Sequence, residues 1–214
     1  MSAPGSLRDS AHLAELAPAF GDPVHDAQAV FRVLLEAMSR PGRVQSLPVP
    51  CRDRLGRPDG LAPALAASLL TLLDADTTLW IGPTHDTAIV RAWLRFHTGV
   101  TLAEHAEQAD FVLLAAHEAS PALLDRLYAG SDVAPQDSAT VLTVVDAIAP
   151  SNAAQRWRGP GIEHEHGVAV LGPRPEFWAW RRAQQGHYPC GLDWVFFAEE
   201  RLVALPRSTG VEGN

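Results

Sequence analysis

The feature that most limits the fold is an alternation in the middle of the chain. Residues 77–81, 110–115 and 140–145 are short apolar runs, and the stretches between them carry helical periodicity. Thr84 is expected to cap a helix running through His97. Ser120-Pro121 sets a cap residue before a proline at the first helical position and opens a second helix to Tyr128, closed by Gly130. Strand, helix, strand, helix, strand predicts right-handed crossovers and parallel pairing in a sheet covered on both faces.

The flanks fit around this unit. From Ala27, the residues Val30, Phe31, Leu34 and Met38 recur at helical spacing, with Asp22 or Asp26 as cap and Arg40-Pro41-Gly42 as stop. An extended piece over 44–47, a Pro- and Arg-rich loop over 48–60 and an Ala- and Leu-rich helix over 61–73 follow. In the last third, 155–158 and 168–171 read as short strands around a polar turn. Residues 173–185 form an aromatic helix, and 192–197 with 202–205 a hairpin. The expected fold is α/β: a three-layer α/β/α sandwich with a mixed sheet, parallel in its middle and antiparallel at one edge. A chain of 214 residues fits one domain over 22–214, behind a flexible extension over 1–21.

Composition removes several functions. A net charge of -8 gives no positive field for nucleic acid, and no apolar run is long enough for a signal or a membrane span, so a cytoplasmic protein is expected. All 17 basic side chains are arginine. Without lysine there is no amine for a pyridoxal phosphate aldimine and no P-loop lysine. Cys51 and Cys190 lack metal or redox spacing and read as reduced, packed thiols.

Candidate chemistry is sparse. Glu163-His164-Glu165-His166 would place both imidazoles on one strand face, but no third ligand stands at motif spacing, so a solvated loop is expected and no metal. His97 falls on the helix face with Ile89, Val90, Trp93, Leu94 and Phe96, the setting of a hydrogen-bonded core or interface histidine. Gln28, Arg32 and Ser39 line a polar edge of the first helix. Arg32 and Arg95 can clamp an anion through guanidinium forks, or simply pair at the surface or meet a partner. Arg207-Ser208-Thr209 offers one cation and two hydroxyls after a strand, either a phosphate site or a loop anchor. Gly159-Pro160-Gly161 is a rigid turn without GxGxxG spacing. Trp93, Trp178 and Trp180 are either partner contacts or core.

A resemblance adds to these readings. Asp26-Ala27-Gln28, Phe31-Arg32, Leu34-Leu35, Ala37-Met38-Ser39 and Pro41-Gly42 stand in the order of the opening signature of the PhnH family. Further blocks continue it: residues 69–74 with Trp80, residues 94–98, Ala109-Asp110-Phe111, Gly159-Pro160-Gly161-Ile162, Gly191-Leu192-Asp193 and Ala204-Leu205-Pro206-Arg207. The similarity runs from about residue 24 to 211. Two departures stand out. Arg207-Ser208-Thr209 replaces the family's Arg-Thr-Thr and keeps a hydroxyl. Residues 135–140 lose a glutamate and a turn glycine, so no role is assigned to that loop.

The resemblance implies a fold like the large domain of pyridoxal-phosphate-dependent transferases, with no cofactor and no catalytic residues of its own. It implies a homodimer in isolation and a core complex with PhnG, PhnI and PhnJ. With PhnG, PhnI and PhnL it implies support for transferring ribose triphosphate from ATP to methylphosphonate, ahead of carbon–phosphorus cleavage. Under that reading Gln28, Arg32, Arg95, His97, Arg207 and Thr209 are anion or partner contacts. The alternative is an independent small-molecule enzyme or phosphate-compound binder using Arg32, Arg95, His97 and Arg207.

Overall fold

The computed structural model describes residues 16–213, without the side chains of 152–154. Its helices are α1 (Pro23–Ser39), α2 (Val49–Arg54), α3 (Pro63–Leu72), α4 (Ala88–Thr98), α5 (Pro121–Leu124) and α6 (Pro175–Ala183). Its strands are β1 (Gln45–Ser46), β2 (Thr78–Ile81), β3 (Thr101–Leu102), β4 (Phe111–Ala115), β5 (Thr140–Val144), β6 (Ala147–Arg158), β7 (His166–Leu171), β8 (Asp193–Ala198), β9 (Arg201–Leu205) and β10 (Gly210–Glu212).

Seven strands form one sheet in the order β1-β9-β8-β5-β4-β2-β3. The five strands from β8 to β3 run parallel, while β9 and β1 add antiparallel at one edge. This is the mixed sheet that the apolar alternation implied. Strand side chains sort by parity, as a pleat requires. Leu113, Leu142, Val195, Phe197, Leu202 and Ala204 join the helices α1, α3 and α4 in one core. Val112, Leu114, Val141, Trp194, Phe196, Val203 and Leu205 face the opposite core.

That second core corrects the expected sandwich. It is covered by a three-stranded antiparallel sheet, β10-β6-β7, together with α6 and the short α5, rather than by helices alone. β6 extends over 12 residues where only 155–158 was expected. Its pairing with β7 shifts register between Pro150 and Gln155, and such a bulge hides a strand from an alternation test. Trp157, Trp194, Phe177 and Phe196 fill the interior, with Phe177 edge-on to Trp194 at 4.9 Å. Trp93 and Trp178 are core residues; half-buried Trp180 donates to Asp125 at 2.7 Å.

Other expectations shift locally. Thr87, not Thr84, caps α4 by accepting from the Val90 N–H at 3.2 Å. Within α4 only Val90, Trp93 and Leu94 are buried; Ile89 and Phe96 lie at the edges of that arc and are 64% and 58% exposed. The helix opened by Ser120-Pro121 ends at Leu124, and the Ser120 side chain makes no cap bond. The loop over 48–60 contains α2. In α1, Val30, Leu34 and Ala37 are buried, whereas Phe31 points outward.

Asp22 caps α1, and Asp26 is buried one turn later. Asp26 accepts from the Asp22 N–H at 3.0 Å and from Arg54 at 2.5 Å. Burial pushes this carboxyl up, but those donors outweigh it and hold it below the usual carboxylate range. Of the segment before Asp22, Leu16, Ala17 and Phe20 pack on the helix-covered core; residues 1–15 lie outside the described residues.

Candidate functional site

A polar cluster lies at the amino ends of the parallel strands. β8 starts at Asp193, and antiparallel β9 delivers its last residues beside it, with Trp194 opposite Leu205. The chain then turns through Pro206, Arg207, Ser208 and Thr209 into β10, which joins the small sheet through Gly210 opposite Arg158. The segment is therefore the corner where one sheet hands the chain to the other.

Arg207 is fixed at three points. Its backbone N–H donates to Asp193 Oδ1 at 2.7 Å, its guanidinium forks onto both Asp193 oxygens, and Nη1 donates to the Pro135 carbonyl. The two side chains are 16% and 15% exposed, so this pair is held far more firmly than a surface bridge. Behind it, Arg181 of α6 is buried and donates through Nη2 to the carbonyls of Pro206 at 2.9 Å and Thr209 at 2.8 Å. Arg181 has no carboxylate partner among the described residues. Burial lowers its pKa to about 10, with Asp193 pulling the other way, so the guanidinium stays charged at neutral pH.

Arg207 thus takes the Asp193 carboxylate, while Arg181 sets its charge against backbone carbonyls alone. The buried Thr209 Oγ1 and Arg181 Nε have no hydrogen-bond partner among the described residues. Arg207, Ser208 and Thr209 border an open cleft of about 220 Å³ with Gln185 and Tyr188. Chemically, the corner can accept a small anion or the carboxylate of another protein.

The other sequence-derived candidates are dispersed. Gln28 and Arg32 are exposed on α1. Arg95 is exposed on α4 and lines a different cleft, beside an Arg91–Asp86 ion pair. His97 is half-buried; its Nε2 lies 3.0 Å from the Ala17 carbonyl, and its ring packs edge-on to Trp93 and Phe96. It is a structural tie. In the 163–166 segment the two imidazoles diverge: His164 is exposed, whereas His166 Nδ1 lies 2.6 Å from the Pro41 carbonyl. Cys51 is buried, with its Sγ 3.4 Å from Asp26 Oδ1, and both cysteines are free.

Sequence reasoning missed Arg181 and the part played by Asp193. The signal for Arg181 was present, since it follows Phe177 by four positions and Trp178 by three, on the buried helix face. Asp193 stood inside the Gly191-Leu192-Asp193 block without an assigned role.

Comparison with known proteins places this framework. The family described as bacterial phosphonate metabolism protein (PhnH) matches residues 18–212. The chain is 32% identical over 194 residues to the "Alpha-D-ribose 1-methylphosphonate 5-triphosphate synthase subunit PhnH" of Rhizobium meliloti (strain 1021), covering 91% of this chain and 94% of that protein. It is 34% identical over 187 residues to the "Putative C-P lyase subunit protein HtxG" of Stutzerimonas stutzeri, covering 86% and 85%.

Proposed function

The chain belongs to the PhnH family of bacterial phosphonate metabolism proteins, and we propose that it is a non-catalytic subunit of a carbon–phosphorus lyase assembly. In that role it supports formation of ribose 1-methylphosphonate 5-triphosphate. The observation that carries this reading is the family match over residues 18–212, together with two relatives whose names describe subunits.

The surface supports it. Val24, Phe31 and Leu35 are 63%, 46% and 52% exposed and lie with Gln28 on one stripe of α1, at spacing that aligns them on a helix. An apolar stripe of this kind fits a partner subunit better than water. On this reading the partners are PhnG, PhnI and PhnJ, with PhnL in the transfer step, and the isolated chain is a cytoplasmic homodimer. The large sheet is read as the counterpart of the large domain of pyridoxal-phosphate-dependent transferases. A chain without lysine has no amine to form the internal aldimine.

Co-expression with PhnG, PhnI and PhnJ is the test. Wild-type chain is expected to co-purify with them, and the Phe31→Asp, Leu35→Asp variant to elute alone with an unchanged circular dichroism spectrum. Wild-type protein that always elutes alone sinks the reading.

A second reading rests on the charge of Arg181 beside Arg207, which favours binding of a phosphate compound at the Thr209 corner. Calorimetric titration of the isolated protein with ATP and with methylphosphonate separates it from the first. Flat traces with both remove it.

A further inference from the structure

The outward stripe of α1 has a spacing of its own. Asp26, Val30, Leu34 and Ala37 turn one face of the helix inward. On another face Val24, Gln28, Phe31, Leu35 and Met38 follow one another at steps of four, three, four and three residues. That alternation is the heptad seam of helix pairing, with a mean step of 3.5 residues. On a helix of 3.6 residues per turn such a seam drifts only about 20° per heptad, so the five side chains stay in line. They span about 21 Å of helix axis.

The seam is open along most of its length. Val24, Gln28, Phe31 and Leu35 are exposed, and Met38 is half-buried. Met38 also borders a cleft of about 380 Å³ with Tyr188 and Pro189, and Tyr188 is 66% exposed, so apolar surface continues past the helix end. Contiguous apolar surface of this kind marks a docking site.

What fits the seam follows from its geometry. The backbone groups of α1 between its ends are spent on its own turns, so a strand laid along it would find no ladder to join. A second helix presents side chains at the same 3.5-residue rhythm. Its knobs enter the holes between Val24, Phe31 and Leu35 at a crossing angle of about +20°. Charge narrows the choice. Along the polar edge, His25 bonds to Asp22 and Arg40 pairs with Glu36. Arg32 is exposed between them in sequence and makes no hydrogen bond or ion pair among the described residues, so its fork is open to a carboxylate. Gln28 sets one amide within the seam, the device by which helix pairs fix their register.

We propose that the α1 seam docks an amphipathic α-helix of a partner subunit, packed lengthwise, with an apolar heptad seam of its own and a carboxylate opposite Arg32. This docking presupposes the subunit role and names the kind of element that α1 meets.

Photo-crosslinking in the complex co-expressed with PhnG, PhnI and PhnJ tests it. The crosslinker p-benzoylphenylalanine replaces Val24, Phe31 or Leu35, one position at a time, and the adducts are mapped by mass spectrometry. They are expected on a single segment of one partner, at positions three, four or seven apart, with an acidic residue within a turn of them. Phe31→Asp should cut recovery of that partner about tenfold, whereas His25→Ala, off the seam, leaves it unchanged. Both side chains are exposed, so circular dichroism of the two variants should match wild type. Adducts scattered over several segments, or alternating at two-residue spacing, would overturn the helix. Adducts on a second copy of this chain would overturn the partner. An intact complex without adducts, or with undiminished recovery in Phe31→Asp, would remove α1 from the interface. Failure of any complex to form reads differently, since it sinks the subunit role and the docking with it.

Discussion

At the amino ends of the parallel strands, Arg207 grips the Asp193 carboxylate and Arg181 grips backbone carbonyls behind it. Past the carboxyl ends of β4 and β5, Glu118 accepts from Thr84 and Ala115, and the open crevice beside it is lined by His85, His117 and Asp146 without a guanidinium. Both ends are held by side chains that reach across strands, but the chemistry is opposite. Arg181 and Arg207 fork onto several carbonyls and a carboxylate, fixing a corner where one sheet passes into the other. Glu118 gathers three donors to keep a gap open. The comparison teaches that neighbouring strand ends are built from different charges, although guanidinium groups stand at both ends of the sheet, Arg91 and Arg95 lining a separate cleft beside the last residues of β2 and β3.

Four substitutions break or sharpen this contrast. The largest effect is expected at Arg181→Ala, which strips the Pro206 and Thr209 carbonyls of their donor and leaves a void. A loss of about 3–5 kcal/mol is expected, visible as a melting temperature lower by about 10 °C in calorimetry. A drop of only a degree or two would show that the corner is not held from α6. Glu118→Gln comes next, at about 2 kcal/mol, because an amide cannot accept from all three donors.

That variant also carries a pH signature. Burial pushes the Glu118 carboxyl up, but the Ala115 and Thr84 donors outweigh it, so the folded value lies below the ordinary one. Its stabilisation is complete above the ordinary glutamate value and is lost as pH falls through the lowered folded value. Urea midpoints of wild type and Glu118→Gln should therefore converge on acidification. Midpoints that stay parallel would refute the assignment.

Asp193→Asn is expected to cost about 1–2 kcal/mol in urea denaturation and to make the corner more positive by one charge. Any anion binding there should tighten, which calorimetry with ATP would read. The smallest effect is expected at Arg126→Ala, whose pair with Glu107 is exposed on both sides. A change below about 0.5 kcal/mol is expected, setting the baseline for the other three.

Much of the helix-covered half of the fold was legible. β4 and β5 are buried on both faces, and uninterrupted runs such as Phe111 to Leu114 announce that without knowledge of their partners. The opposite half was not. β6 carries Pro150 and a register shift, and its neighbours in space, β7 and β10, begin 8 and 52 positions beyond its end. The Arg207 and Thr209 corner could be suspected from a strand followed by a basic, hydroxyl-rich turn. Arg181 escaped because arginine is ordinarily solvated, and its burial depends on carbonyls from a distant turn. The His85 and Glu118 crevice was invisible for a related reason. Its walls lie more than 30 positions apart and meet only because Ile81 pairs with Leu113.

Two glycines join α1 to the small sheet. Gly42, at the exit of α1, has φ +83° and would place a Cβ 2.7 Å from the His166 Cβ. Gly161, in the β6–β7 turn, has φ +81° and would drive a Cβ into the Ser39 carbonyl oxygen. Each bare backbone nests in the other segment, so the end of the helix and the tip of the turn mesh like gear teeth. The exit of α1 is consequently anchored on β7 and the β6–β7 turn, and a side chain larger than glycine at either position would part the helix from the small sheet.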